Sequence, residues 1–466
     1  MSESESRPQG VAQANMRDAV ILYAIVVIAA ALGNSSQTAL NAMIPAVVAD
    51  FGIGVDVGQW FTTGFMLTIG VSVPIVSYLI RRLGTRSFIF LSLGLVFVGS
   101  LIDLVSWDFW SMLFGRVVQG VSVGLLMSLM TTVAMINFPE GRRATAVGVA
   151  GIAMGVAPNF GPTLGGIMET AFGWRSFFVL LAGINVVLAI LTALFVKKGA
   201  PGASAHFEAP SFVFSTLGAG GILLGLSQAS TYGLASVWVW APVAVGAVFL
   251  FLFIRRQARV EHPLMHLEIF SNRQYVMGLL SLTFLFLSFM GVTLVIPLYM
   301  VDLRGSTSMD AGMIMLPQTV VACFVNPLAG ICTDKFGVRK VTLVTGALLV
   351  AGSVLWATVD VDTPVFLLMV YQMLRGIGVS GLIGPFQSWS LAKLPRRLVS
   401  DGSSATILIR QSAGSFGTAL MVFAIHASMQ LALSLGLPAL PYQLAFGVSA
   451  VFAVFTYVHI VLKVRE

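Results

Sequence analysis

The stretch GRVVQG at residues 115–120 sets Arg116 and Gln119 one helical turn apart inside an otherwise apolar run. Arg375 and Arg410 stand in similar surroundings further along. A charge at bilayer depth costs about 2.5–3.5 kcal/mol on insertion scales, so each needs a partner or a task. For Arg116 the nearest carboxylate in sequence is Asp103, near the end of the preceding apolar run on the same hairpin. An ion pair between them is geometrically possible and would offset much of that cost. Arg375 has no acid in its own run and reads as a cation lining a cavity. Arg410 lies about two turns into its run and reads as structural or as snorkelling to the cytoplasmic interface. A second chemistry is amide recognition. Asn34, Gln37, Thr38 and Asn41 recur at i, i+3, i+4 and i+7, a single polar stripe on a helix that lipid would penalise. Gln119, Gln318, Asn326, Gln372 and Gln411 are the matching amides elsewhere, interleaved with Phe65, Met66, Met127, Met130, Phe289, Met315 and Trp389. Soft apolar surface with a few amides suits bulky amphipathic compounds.

Other chemistries are not spelled out. No Gly-rich phosphate loop is present, so the chain carries no nucleotide motor of that type. No nucleophile–base arrangement stands out, and the reading is not an enzyme. His262 and His266 fall at i, i+4, but further ligands are not evident, so a basic linker is the expectation and no metal or cofactor is assigned. His426 and His459 read as structural histidines within apolar runs.

The elements that must hold these residues follow from composition. Of 466 residues, 57% are hydrophobic and 10% charged, far from the roughly 25% charged of soluble domains. Apolar runs of about 20 residues recur throughout, the length of a helix crossing a 30 Å hydrocarbon layer. Only helices and closed barrels pair all backbone groups in lipid, and the short alternating segments of a barrel are absent. The expectation is an all-α polytopic membrane protein with fourteen spans. It divides into a tail (1–18), a six-helix bundle (19–196), two inserted helices with linkers (197–274), a second six-helix bundle (275–462) and a short tail (463–466). Of the 26 basic residues, 21 fall in one set of alternate loops and tails, two in the opposite loops and three inside spans. The positive-inside rule then puts both termini in the cytoplasm. The net charge of +7 follows from this bias and calls for no nucleic acid.

Local patterns recur at a nearly constant offset. Pro45 and Pro297 end similar tetrapeptides, Gly84 and Gly337 centre similar basic turns, Gln119 aligns with Arg375, and Pro139 with Pro395, at offsets of 252 to 256 residues. Two related six-helix halves rocking about a midplane site are a transporter architecture.

With these motifs on the page, the chain resembles the major facilitator superfamily, and within it the fourteen-helix drug:proton antiporters of the EmrB/QacA type. LFGRVVQGVSVG resembles motif B, with Arg116, Gln119 and Gly120 at matching positions. GVAPNFGPTLGG at 155–166 resembles the antiporter motif C, including Gly155, Gly161, Pro162, Gly165 and Gly166. GICTDKFGVRK resembles motif A of the second half, with Asp334, Gly337 and Arg339. The resemblance implies a hinge at Gly161-Pro162, a gating loop at Asp334 that holds a closed state, and a motif B arginine assisting proton transfer. Two departures are visible. Ser36 stands where the family's first helix usually has an aspartate, and Arg81 replaces the first motif A aspartate, so no conventional latch is expected in that loop. The expected function is proton-driven export of amphipathic small molecules or drugs across a prokaryotic cytoplasmic membrane by a monomer in lipid, without a cofactor. The alternatives are an organic-anion exporter with atypical coupling and a non-transporting sensor. The sequence carries nothing on a periplasmic adaptor.

Overall fold

Apolar length and intramembrane backbone pairing leave one solution, and the computed structural model takes it. It describes residues 16–197, 207–233, 236–261, 263–306 and 308–464, and no strand occurs among them. The N-terminal helices are α1 (Met16–Phe51), α2 (Trp60–Ser72), α3 (Val76–Leu104), α4 (Phe109–Asn137), α5 (Glu140–Gly151), α6 (Ala157–Phe172) and α7 (Arg175–Phe195). Two more follow, α8 (Ala209–Tyr232) and α9 (Val237–Gln257). The C-terminal set is α10 (Arg273–Leu298), α11 (Ser308–Phe336), α12 (Val338–Trp356), α13 (Val365–Ala392), α14 (Val399–Leu435) and α15 (Leu440–Lys463).

Among the described residues twelve helical stretches are long and apolar enough to cross a membrane. They become thirteen when Glu140–Val156 and Phe160–Phe172, bent by 47°, are taken as one. Fourteen were expected, and the difference lies at two breaks. One is that bend. The other is Gly84, at φ 71° and ψ 162°, inside the 45-residue stretch Trp60–Leu104. A straight helix of 45 residues would run about 68 Å, twice the hydrocarbon thickness. Gly337 caps α12 with nearly the same backbone, φ 85° and ψ 155°. Only glycine adopts such values without strain, so both tight basic turns require it.

The expected hinge at Gly161-Pro162 needs correction. The bend falls one turn earlier, after the π-turn Ile152–Val156, while Pro162 lies inside α6. Pro158, at the start of α6, lacks the N–H that would carry the helix through the break.

Helix starts are written in local chemistry. Asp108 opens α4 with a capping box, its carboxylate accepting from the Ser111 N–H at 2.9 Å. The Ser111 hydroxyl and amide hold the Asp108 carboxyl below the usual carboxylate range. Asn272 accepts from the Tyr275 N–H at 3.1 Å and starts α10.

Packing groups the helices. α1 lies on α4, α6 and α7, and α3 on α4 and α7. α10 lies on α13, α14 and α15, and α12 on α13 and α15. The N-terminal set meets the C-terminal set through α5 against α11 and α13, and through α4 against α14. α8 and α9 pair with each other, and α8 touches both α2 and α14. Lipid is as apolar as leucine, so close approach rather than water exclusion binds these helices. Glycines provide it. A Cβ at Gly165 would come 2.5 Å from the Ala39 carbonyl of α1, and one at Gly151 2.6 Å from Asn326 of α11.

Candidate functional site

Arg116 is wholly buried and reaches from α4 to α1. Its guanidinium donates to the Ser36 hydroxyl (3.0 Å), the Ser36 carbonyl (3.2 Å) and Gln119 Oε1 (2.8 Å), and lies 4.2 Å from the centre of the Phe65 ring. Gln119 in turn donates to Ser100 at 3.1 Å. Ser36 is thus the direct partner of Arg116.

A second network repeats the first. Arg375, also wholly buried, donates from α13 to the Ser288 carbonyl of α10, to Ser449 (3.1 Å) and to Ser353 of α12 (3.2 Å). Ser36 and Ser288 are 252 residues apart, Ser100 and Ser353 are 253 apart, and Gln119 and Arg375 are 256 apart. Those are the offsets of the sequence echoes. Arginine and glutamine exchange places between the copies, since Gln372 stands at the register of Arg116. Gln372 is itself buried and hydrogen-bonded to Gln318. Arg375 is therefore enclosed by its own set of helices rather than lining an open cavity.

Asp103 does not form the expected ion pair with Arg116. No oxygen of it comes within 4.0 Å of a cation, and neither has a hydrogen-bond partner among the described residues. It is fully buried against the Gly115 backbone while the neighbouring guanidinium is held by Ser36 and Gln119 on the α1 side. Arg410 does not snorkel either. It is buried, donates to Gln387 at 3.0 Å and lies 4.2 Å from the Phe286 ring centre. An aromatic face and an amide take the place of a reach to water, with Nε unpartnered among the described residues.

The amide stripe of α1 divides. Asn34 is buried and donates back to the Ala30 carbonyl, and Gln37 is half-buried. Asn41 is exposed and accepts from Thr62 of α2 at 2.8 Å. Gln318 and Gln411 are half-buried. Asn326 is buried, donates to the Ala322 carbonyl and packs on Gly148 and Gly151. In motif C, Gly161 and Gly165 press on α1, whereas Gly155 and Gly166 have open space where a Cβ would go.

The side-chain hydrogen bonds between N- and C-terminal helices of the described residues gather at one end, the end bearing the basic loops. Ser77 pairs with Ser400 (2.9 Å) and Ser128 with Ser404 (2.7 Å). Ser403 donates to the Ser128 carbonyl (3.2 Å), and Gln387 to Thr131 (3.0 Å). Asp334 accepts from the N–H groups of Ala144 (3.2 Å) and Thr145 (2.8 Å) and from the Thr145 hydroxyl (2.6 Å). The expected gating loop is thus in contact across the molecule, and Arg339 beside it is exposed. A cavity of about 450 Å³ lies next to it, lined by Glu140, Arg143, Asp334, Trp389 and Lys393.

The first basic turn also makes a contact, built on Arg81 rather than on the acid of a conventional latch. Arg81 lies 3.6 Å from Asp401 of α14. Asp401 was missed in the sequence as a loop acid. The repeat register could have found it, because Asp401 falls 256 residues after Thr145 and Asp334 falls 253 after Arg81. His266 meets the same carboxylate, while His262 lies outside the described residues. Among the described residues no group of three or more His, Cys, Asp or Glu is placed to hold a metal.

Comparison with known proteins agrees with this architecture. The Major Facilitator Superfamily pattern matches residues 24–418. The chain is 30% identical to an uncharacterized MFS-type transporter, YcnB, of Bacillus subtilis, over 86% of this chain and 85% of that one. It is 28% identical to the lincomycin resistance protein LmrB of Listeria monocytogenes, over 88% and 87%. The human organic anion transporter MFSD10 shares the fold, with a TM-score of 0.69 at 15% identity, over 95% and 99%. A multi-pass membrane protein whose family consists of transporters rather than enzymes, this chain belongs to the Major Facilitator Superfamily.

Proposed function

We propose that the chain is a proton-driven exporter of amphipathic small molecules, drugs among them, working by alternating access. One observation carries the reading. Among the described residues, the side-chain bonds between the N- and C-terminal helices gather at the basic end, as in a transporter with one gate shut. The resistance function in the name of a 28% identical relative supports drug efflux. The proposal takes the breaks at Gly84 and at 156–160 as loop and bent span, giving fourteen crossings of the EmrB/QacA type. It retains the halves 19–196 and 275–462 with 197–274 inserted, and places the basic end and both termini in the cytoplasm. Substrate would contact the exposed amide Asn41 and the half-buried Gln37, Gln318 and Gln411. Coupling is assigned to Asp103 with Arg116. An ionised carboxylate buried without a partner is costly, and either a proton or a reoriented Arg116 relieves that cost. The organic-anion alternative loses support, since all three intramembrane arginines are tied to protein oxygens.

The test is flux in proteoliposomes with an imposed pH gradient, using ethidium and lincomycin as probes. Export that stops when a protonophore collapses the gradient is the expected result. Flux indifferent to the gradient removes proton coupling, and binding without flux removes transport.

A further inference from the structure

Two latches close the basic end, and they are copies of one another in register but not in chemistry. In one, Asp334 at the end of α11 bonds to Ala144 and Thr145 on α5. In the other, Arg81 of α3 occupies the register of Asp334, and Asp401 of α14 occupies the register of Thr145. The acid has moved to the opposite side of the contact. A basic residue in a position that elsewhere holds an acid is thus compensated rather than lost.

The second latch has a third member. His266 belongs to the segment between α9 and α10, outside both sets of helices. Its N–H donates to Asp401 Oδ2 at 3.2 Å, and its ring Nδ1 lies 2.8 Å from the same oxygen. Arg81 also donates to the Leu264 carbonyl at 3.0 Å and to that of Pro263 at 3.3 Å, so the segment is tied to both sides. Asp401 is completely buried, whereas the side chains of Arg81 and His266 are each 33% exposed. Water therefore reaches the imidazole and not the carboxylate.

We infer that Arg81, Asp401 and His266 form a proton-sensitive clasp in which the linker segment helps hold the basic end shut. A neutral imidazole can give Asp401 one hydrogen bond through Nδ1–H. A protonated imidazole gives the buried carboxylate a second cation, and a hydrogen bond between ions is about twice as strong. Acidification, which adds that proton, strengthens the clasp; alkalinisation, which removes it, loosens the clasp. Other charged and titratable groups on the packed elements include the Arg82–Tyr78 pair of α3, Tyr275 of α10, whose hydroxyl donates to the Gly402 carbonyl, and the Glu268–Arg397 ion pair (2.9 Å). Tyrosine and arginine do not change charge between about pH 5.5 and 8. His426, the histidine of α14, lies 25 residues beyond Asp401, about 37 Å along the helix, which leaves His266 as the histidine on the carboxylate. The Asp334 latch, built on an amide and a hydroxyl, supplies a fixed counterpart.

The test measures opening directly and needs no substrate. With Cys323→Ser and Cys332→Ser removing the native thiols, spin labels at Arg142→Cys and Arg396→Cys, both exposed, report the distance across the basic end in detergent. The full chain should gain roughly three- to tenfold in its closed-to-open ratio as the pH falls from about 8 to about 5.5. His266→Gln should flatten that profile near its alkaline value. His266→Arg, a fixed charge at the same place, should flatten it near the acid value. Arg81→Gln should lower the closed fraction at every pH while keeping the slope. A flat profile in the unsubstituted protein, or a slope that survives both histidine substitutions, overturns the clasp. The inference extends the alternating-access reading, yet the two fail separately. Liposomes without export count against that function, and label distances without a histidine-dependent slope count against the clasp.

Discussion

A serine facing a buried guanidinium leaves that guanidinium without a counter-charge. Arg116 bonds to Ser36 through a hydroxyl and a carbonyl, and Asp103 sits nearby with both oxygens unpaired. Under the proposed coupling, Asp103→Asn should reduce gradient-driven ethidium export to the level of empty liposomes while binding of the probe persists. Adding Ser36→Asp to that variant supplies a carboxylate about 3 Å from Arg116 and should restore part of the gradient dependence. Failure of the double variant to recover any of it would argue against a shared proton site. Arg116→Met should cost about 1–3 kcal/mol by orphaning the Ser36 and Gln119 acceptors, read as a lower melting midpoint in detergent. The absence of aspartate at position 36 was legible from the first-helix pattern alone. Its partner was not, because a helical wheel describes one helix and says nothing of which neighbour fills the space beside it. The same limit put Asn34 on a stripe with Asn41, although one is buried and the other exposed.

At the scale of an element, small residues decide whether helices can touch. Gly165 presses on the α1 backbone, while Gly166 next to it faces open space. Gly165→Leu should therefore destabilise by about 1–3 kcal/mol through overpacking. Gly166→Leu should stay within about 0.5 kcal/mol of the parent in the same melting assay. Equal effects would mean that α6 does not lean on α1 through this face. The start of α4 makes a pH prediction. Ser111 holds the Asp108 carboxyl below its ordinary range, so the stabilisation from this cap is present above about pH 4 and is lost as the pH falls through the lowered value. Asp108→Asn should remove that acid-side loss from a melting-midpoint profile. Helix existence and the basic turns were readable from apolar length and glycine. The place of the bend was read one turn late, since two prolines, Pro158 and Pro162, mark this stretch and the bend falls at the first.

For the whole molecule, the closed basic end makes a mechanical claim. Ser128 and Ser404, from α4 and α14, hold hydroxyl oxygens 2.7 Å apart. Cysteines there, in a background without the native two, should oxidise to a disulfide that arrests ethidium export, with reductant restoring it. Unimpaired flux with the bond formed would show that this end need not open. The contacts across the molecule were the least legible feature, because they join residues more than 180 positions apart. The repeat register was the one signal that reached so far. Applied to contacts as well as to motifs, it would have led from Thr145 to Asp401.

That register also exposes a broken symmetry. The two polar cores use equivalent serines, yet the guanidinium moves by three residues, about 4.5 Å along the helix, between Arg116 and Arg375. Trp356 stands 253 residues after Asp103, so the second copy holds an indole where the first holds an acid. One copy thus bears an ionisable group at this register and the other an indole that does not titrate. Under the proposed coupling, proton uptake at this register falls to the N-terminal copy alone.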